Sequence, residues 1–252
     1  MLRDELITWL DGFLQPDNFD DYCPNGLQVE GKNNIGHLVS GVSASHSLIS
    51  KAVDISADAI LVHHGLFWRG EYPVITGMKA KRIKVLLQND INLIAYHLPL
   101  DAHSELGNNA ALAGLLGFKV EGTFADINSV SYAFYGSLDK PLSRLELQQK
   151  IKTTLQREPL VIPGSEQAQI RTVAWCSGAA QDLIEQAARL KADAYISGEI
   201  SEHTVYKARE LGLDYFAIGH HASERYGVQE LGRHLADKFA IKHTYLELDN
   251  PV

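Results

Sequence analysis

Six of the eleven histidines lie in three short segments, each following an apolar, strand-like run. His63-His64-Gly65 follows DAILV, and His97-Leu98-Pro99-Leu100-Asp101-Ala102-His103 follows NLIAY. Gly219-His220-His221-Ala222-Ser223-Glu224 follows DYFAI, and a fourth segment, Gly198-Glu199, follows AYIS. In open α/β sheets, ligands collect beyond the carboxyl ends of the strands. Imidazole and carboxylate together are the donor set of borderline divalent metals. Past a strand end, neighbouring residues no longer alternate strictly, so a His-His doublet can address two ions. His220 and Glu224 stand four apart at a helix start, which puts both on one face, one turn apart. Asp101 adds a second carboxylate. Three His, one Asp and one Glu are too few to close two metal shells. They suit two ions that share a carboxylate and keep open positions. Such a pair lowers the pKa of a water and clamps a leaving oxygen. Each fragment alone has a plainer reading: a lone His after a strand is usually structural, and His103 and His221 read equally well as supports or caps. Co-location carries the metal reading.

The elements that must position these residues follow from periodicity. Leu2, Leu6, Trp9, Leu10 and Phe13 repeat at helical spacing, and a polar loop with Pro16, Pro24, Gly26 and Gly31 follows. Strands are expected at 37–42, 58–62 and 91–96, with helices at 45–56, 79–88 and 105–116, the last stopped by Gly117. The stretch 118–170 is less regular. It reads as two strands and a helix opened by Ser143-Arg-Leu-Glu146, the pattern of a capping box. Strand and helix then alternate: strand 171–176, helix 180–190, strand 192–197, helix 201–211, strand 213–218, helix 224–239 and strand 242–248. This alternation predicts α/β layers with a largely parallel sheet.

A weak internal repeat accompanies the pattern. GVSASHSLISKAVDISADAILVHHG from Gly41 aligns without gaps to CSGAAQDLIEQAARLKADAYISGEI from Cys176, sharing Ala-Asp-Ala at 57–59 and 192–194. NLIAYH from Asn92 corresponds to DYFAIGH from Asp214. Any two strand–helix–strand units look somewhat alike. The stronger reading is a duplicated α/β unit with a site where the halves face each other.

Composition narrows the classes. At 252 residues the chain is long enough for a substantial core in one large or two small domains. Its 45% hydrophobic and 21% charged residues are ordinary globular values, which excludes disorder as the main state. The formal charge of −8 disfavours a mainly electrostatic nucleic-acid role. Two cysteines, Cys23 and Cys176, make no disulfide framework and suit a reducing cytoplasm. Acids at positions 4, 5 and 11 interrupt any signal-peptide core, and no apolar run is long enough to span a membrane. Dinucleotide, P-loop and nucleophile-elbow motifs are absent from the sequence. The run Lys79, Lys81, Arg82, Lys84 reads as a solvated helix face or as a phosphate-attracting rim.

The ordered motifs resemble one known family. Asp21-Tyr22-Cys23-Pro24-Asn25-Gly26-Leu27-Gln28-Val29-Glu30-Gly31 comes first, then Asp58-Ala59-Ile60-Leu61-Val62-His63-His64-Gly65. His97-Leu98-Pro99-Leu100-Asp101 with Gly107-Asn108-Asn109 follows, then Gly198-Glu199 and Gly219-His220-His221-Ala222-Ser223-Glu224-Arg225. From about residue 20 onward this is similar to the NIF-three-like family, whose bacterial members are often labelled GTP cyclohydrolase 1 type 2 homologs. The short 118–170 stretch matches forms without an inserted domain. The resemblance implies two similar α/β lobes, divided near 125/126 with terminal segments exchanged, and a dinuclear metal centre between them. It also implies a toroidal homohexamer. The family's ligands map onto His63, His64, Asp101, His220 and Glu224, with Glu224 as the bridge; family and i,i+4 spacing together select His220 over His221. The metals would be two divalent ions per chain, drawn from Zn, Mn, Fe, Co or Ni.

Three functions remain open at this point. The first is a two-metal hydrolase acting on a nucleotide or related small molecule, with His97, Glu199 and His221 as candidates for proton transfer or substrate orientation. The second is a metal chaperone or insertase using the same ligands. The third is a ring that binds DNA, which the acidic balance disfavours.

Overall fold

The computed structural model describes residues 1–128, 130–164 and 169–252; Ser129 and 165–168, both inside the irregular stretch, lie outside the described residues. The chain runs α1 (Arg3–Leu14), β1 (Gly26–Val29), β2 (His37–Ser43), α2 (His46–Asp54), β3 (Ala59–His64), α3 (Gly77–Gln88), β4 (Asn92–Ala95), α4 (Leu98–Ala102) and α5 (Asn108–Leu116). It continues through β5 (Phe118–Ile127), β6 (Val130–Ser143), α6 (Arg144–Leu155), β7 (Leu160–Ile162), β8 (Gln169–Cys176), α7 (Ile184–Arg189), β9 (Ala194–Ser197) and α8 (Glu202–Leu211). β10 (Asp214–Ala217), α9 (His220–Phe239) and β11 (Lys242–Tyr245) complete it. Two compact units result: Met1–Leu100 with Gly227–Asp249, and Asp101–Tyr226 with Asn250–Val252. A cut at 125/126 would fall inside β5, which pairs with β6 along its length.

The first unit holds a five-stranded sheet in the order β1-β4-β3-β2-β11. All its neighbours are parallel except β1, which runs antiparallel to β4. β1 lies in the segment expected to be loop, because four residues containing Gly26 and Gln28 carry too little apolar alternation to register as a strand. Val39, Ile60 and Leu93 from the sheet pack with Leu48, Ile49 and Leu86 from the helices.

The second unit holds a six-stranded sheet, β5-β6-β8-β9-β10-β7, parallel only through β8-β9-β10. Two lobes are expected, and each has its own sheet; the expected largely parallel character holds in the first, but the second is mixed, because the long β5–β6 hairpin adds antiparallel strands at one edge and β7 adds another at the opposite edge. Its central strands are buried on both faces, which explains their unbroken apolar runs. Trp175, Ile196 and Phe216 face Leu147 and Ile151, while Ala174, Tyr195 and Tyr215 face Ile184 and Ala208. The Ser143 capping box is present: Ser143 N donates to Glu146 Oε2 at 2.7 Å, and Glu146 N donates to Ser143 Oγ at 3.3 Å. The helix expected at 180–190 is instead a 3-10 turn, Gln181–Leu183, leading into short α7. α9 begins four residues earlier than periodicity suggests, at His220.

The repeat survives as hydrogen bonds. Leu38 pairs with Ala59 in the first unit, and Val173 pairs with Ala194 in the second, at the same 135-residue offset that separates Gly41 from Cys176. Asp58 Oδ2 accepts from Gly36 N and His37 N, both at 2.8 Å. Asp193 Oδ2 accepts from Arg171 N and Thr172 N at 2.9 and 2.8 Å. The two lobes are therefore similar in local construction as well as in element order. One carboxylate in each pins the start of the first parallel strand to the start of the second.

Asp58→Ala and Asp193→Ala should each cost about 1–3 kcal/mol by urea unfolding, since each strands backbone donors. Burial raises the Asp58 carboxyl, but Lys32 at 2.7 Å and the two amides outweigh it and hold it below the usual carboxylate range. Its contribution is accordingly full at neutral pH and fades as the pH falls through that depressed range. A flat Asp58→Ala difference across that range would contradict this.

Candidate metal centre

In the first unit, β3 ends on His63-His64, and His97 follows β4. Register brings the two strand ends together, because Val62 pairs with Ala95. His63 is fully buried and its Nδ1 lies 3.1 Å from the Tyr96 carbonyl. His64 Nδ1 lies 3.0 Å from Ser43 Oγ, and His97 Nδ1 lies 2.7 Å from Asp21 Oδ1. A carbonyl and a carboxylate only accept, so Nδ1 carries the hydrogen in His63 and His97 and the lone pair sits on Nε2. The ring centroids of His63 and His64 lie 4.7 Å apart, and those of His63 and His97 lie 4.9 Å apart. One potential ligand atom from each of His63, His64 and His97 falls within 4.8 Å of the others. Trp68 meets His97 edge to face at 5.2 Å, a packing role.

Asp21 is the residue that motif spacing alone does not nominate. Besides His97 it accepts from Tyr22 N at 2.6 Å, Asn25 Nδ2 at 3.0 Å and Leu98 N at 2.9 Å. Burial raises its carboxyl, but His97 and these donors outweigh burial and hold it below the usual range.

In the second unit, α9 opens at His220, directly beyond β10. His220 Nε2 lies 3.0 Å from Glu224 Oε2, the expected i,i+4 contact. Its Nδ1 lies 2.6 Å from Glu199 Oε1, so Glu199 orients the ring. Burial disfavours a charged imidazole here, yet Glu224 and Glu199 outweigh burial and raise His220 to about 9. Glu224 is 2% exposed, and Asp101 is buried as well. Asp101 Oδ1 accepts from Asn108 Nδ2 and Ser177 Oγ, each at 2.9 Å. Asn109 Oδ1 in turn accepts from Ser177 N at 2.9 Å. Gly178 lies against this pocket: a Cβ built there would stand 2.1 Å from Glu224 Oε1. Cys176 is buried beneath. Burial, with the charges of Asp101 and Glu224, pushes its thiol well above the ordinary range, so it is no nucleophile.

The donors fit divalent metals. In His63, His97 and His220 an acceptor faces Nδ1, which makes Nε2 the nitrogen suited to a metal, the arrangement of metal-binding histidines with an orienting partner. Both carboxylates are buried; Asn108 and Ser177 donate to Asp101, Glu224 lies beside the His220 imidazole, and the second unit favours positive charge there. Of the other candidates, His221 lies in the first turn of α9, its amide donating to the Val252 carbonyl at 3.0 Å. His103 accepts from Glu105 N and Leu106 N, a capping role. Lys79 pairs with Glu71 and stacks on Phe67, so this part of the basic run is committed locally. No helix among the described residues is long and apolar enough to cross a membrane.

Comparison with known proteins agrees with this construction. The sequence model described as Duf34/NIF3 (NGG1p interacting factor 3) matches residues 1–251. A Pseudomonas aeruginosa protein named GTP cyclohydrolase 1 type 2 homolog is 49% identical over 246 residues, covering 98% of this chain and 97% of its own. Among solved structures, the protein ybgI, described as of unknown function, superposes with a TM-score of 0.95 at 46% identity, covering all of both chains. TTHA1606 from Thermus thermophilus superposes with a TM-score of 0.89 at 35% identity, again over all of both chains.

Proposed function

This chain belongs to the Duf34/NIF3 family, and from that footing we propose that it is a dinuclear-metal hydrolase acting on a nucleotide or related small molecule. The single observation that carries the reading is the orientation of its buried donors. His63 and His220 are each tied through Nδ1 to an acceptor, Asp101 is a buried carboxylate that accepts from Asn108 and Ser177, and Glu224 is a buried carboxylate beside His220 Nε2.

In this reading His63, His64, Asp101, His220 and Glu224 hold two divalent ions, with Glu224 as the bridge. Zn, Mn, Fe, Co and Ni all suit such nitrogen and oxygen ligands. When bound, the pair supplies an activated water and a clamp for the leaving oxygen. The chain's own contribution is positional. Tyr96, Ser43 and Glu199 fix the imidazoles, and Asn108 and Ser177 fix Asp101. Glu199, His97 and His221 are the groups assigned to proton transfer or substrate orientation. The name of the P. aeruginosa relative favours GTP as the first substrate to try. The working assembly in this proposal is a toroidal homohexamer in the cytoplasm.

Elemental analysis of protein purified without chelator tests the centre. About two metals per chain are expected in the wild type, and a clear loss in His64→Ala and Glu224→Ala. Wild-type occupancy near zero would remove the proposal. Turnover of GTP, other nucleotides and phosphodiesters by the metal-loaded protein tests the activity. Rates no higher than those of Glu224→Ala would leave the chaperone reading, which exchange kinetics of the bound metal would then address.

A further inference from the structure

We infer that Tyr22 and Trp68 form a stacking platform for the base of a purine nucleotide, set beside the histidines of the first unit. The inference rests on the nucleotide reading above and deepens it by assigning the residues that take the base.

Three observations carry it. First, two large rings meet the same imidazole and both reach solvent. The Trp68 and His97 centroids lie 5.2 Å apart with the planes at 86°, and those of Tyr22 and His97 lie 6.3 Å apart at 64°. Trp68 also lies 5.7 Å from the His64 ring. This packing does not exhaust the rings, because a ring met at a steep angle keeps at least one face clear of that neighbour. Tyr22 is 53% exposed and Trp68 is partly exposed. Second, the segments that carry the rings are laced together. Arg69 N donates to the Tyr22 carbonyl at 2.6 Å, and Arg69 Nη2 donates to the Asp21 carbonyl at 2.7 Å and pairs with Asp20. Gln28 of β1 bridges the same two segments, accepting from Leu66 N and donating to the Pro24 carbonyl, each at 2.8 Å. Rings held in this way need little further ordering when a ligand arrives. Third, the cations close to the rings are engaged, Arg69 with Asp20 and Lys79 with Glu71 and Phe67. The anionic part of a ligand is therefore left to the proposed ions, and its flat part to the rings. A nucleotide carries both on one small scaffold. Stacking accepts any base, since every base has a π face, and purines lead through the strength of their stacking.

A plainer role for the two rings is to shield His97 from water. That role makes no demand on the base of a ligand. The two roles separate in calorimetric titrations of metal-loaded protein with GTP, GMP and ribose 5-phosphate, the last of which keeps the phosphate and lacks the base. The wild type is compared with Tyr22→Ala, Trp68→Ala and Trp68→Phe. Each alanine variant is expected to bind GTP and GMP about 10-fold more weakly and ribose 5-phosphate as the wild type does, and Trp68→Phe should keep most of the affinity. Wild-type affinity for GTP in either alanine variant would overturn the inference. So would a loss of ribose 5-phosphate binding in step with GMP, or a wild type that binds GMP no more tightly than ribose 5-phosphate. If Trp68→Ala does not fold, Tyr22→Ala decides, because the Tyr22 side chain lies largely at the surface. A wild type that binds none of the three would sink the nucleotide reading itself, which distinguishes the two failures.

Discussion

Gly178→Ala should lower metal affinity by about 100-fold although it changes no ligand, an effect at the upper end of those produced by residues that support ligands. The added methyl would stand 2.1 Å from Glu224 Oε1 and 3.4 Å from His220 Nε2. Glu224 is 2% exposed and has little room to retreat. Its carboxylate must swing away from His220, and the proposed bridge goes with it. Gly178 also sits at φ +65°, where an alanine adds about 1 kcal/mol of backbone strain. Gly114→Ala is the control: it lies on helix α5 with nothing within 4 Å of a built Cβ, and it should be neutral or slightly stabilising. Elemental analysis and thermal melting of both variants separate pocket filling from general damage. Full metal content in Gly178→Ala would show that Glu224 does not need the position it occupies.

The largest stability effect is expected at Asp214. Its side chain is 1% exposed and accepts Arg144 Nε at 2.9 Å, Arg144 Nη2 at 2.8 Å and Gly164 N at 2.8 Å. Asp214→Ala removes the acceptor of a bidentate, mostly buried pair and leaves a guanidinium charge behind. The cost is about 3–5 kcal/mol, or a melting temperature lower by about 10 °C. Replacing both partners, Arg144→Met with Asp214→Leu, should recover much of the loss, because it removes the stranded charge as well as the bond. A double variant no more stable than Asp214→Ala would mean that the Gly164 amide, rather than the ion pair, is what Asp214 secures.

Sequence reasoning nominates the proposed ligand positions because strand ends leave a local trace: an apolar run of four or five residues, then a polar doublet. The Ser143 cap and the 135-residue repeat are local in the same sense. Residues that orient these proposed ligands and His97 leave no such trace. Asp21 meets His97, and Ser177 meets Asp101, each across 76 residues, and only the folded chain brings them together. Gly178 is equally invisible, since its value lies in the atoms it lacks. Strand β1 escapes for a different reason: it is short and half-polar, and its pairing partner β4 lies more than 60 residues away. The antiparallel edge of the second sheet escapes because alternation of strand and helix predicts crossovers, and the 118–143 region contains a hairpin instead.

The division of α9 has a consequence for synthesis on the ribosome. Apart from its last three residues, the second unit is complete once Tyr226 has emerged, whereas the first still awaits Gly227–Asp249 and the strand that covers one edge of β2. Vectorial folding therefore finishes the middle of the chain before its beginning. Until Lys242–Tyr245 arrives, the early sheet carries a bare edge at His37–Ser40, a stretch open to mispairing between nascent chains.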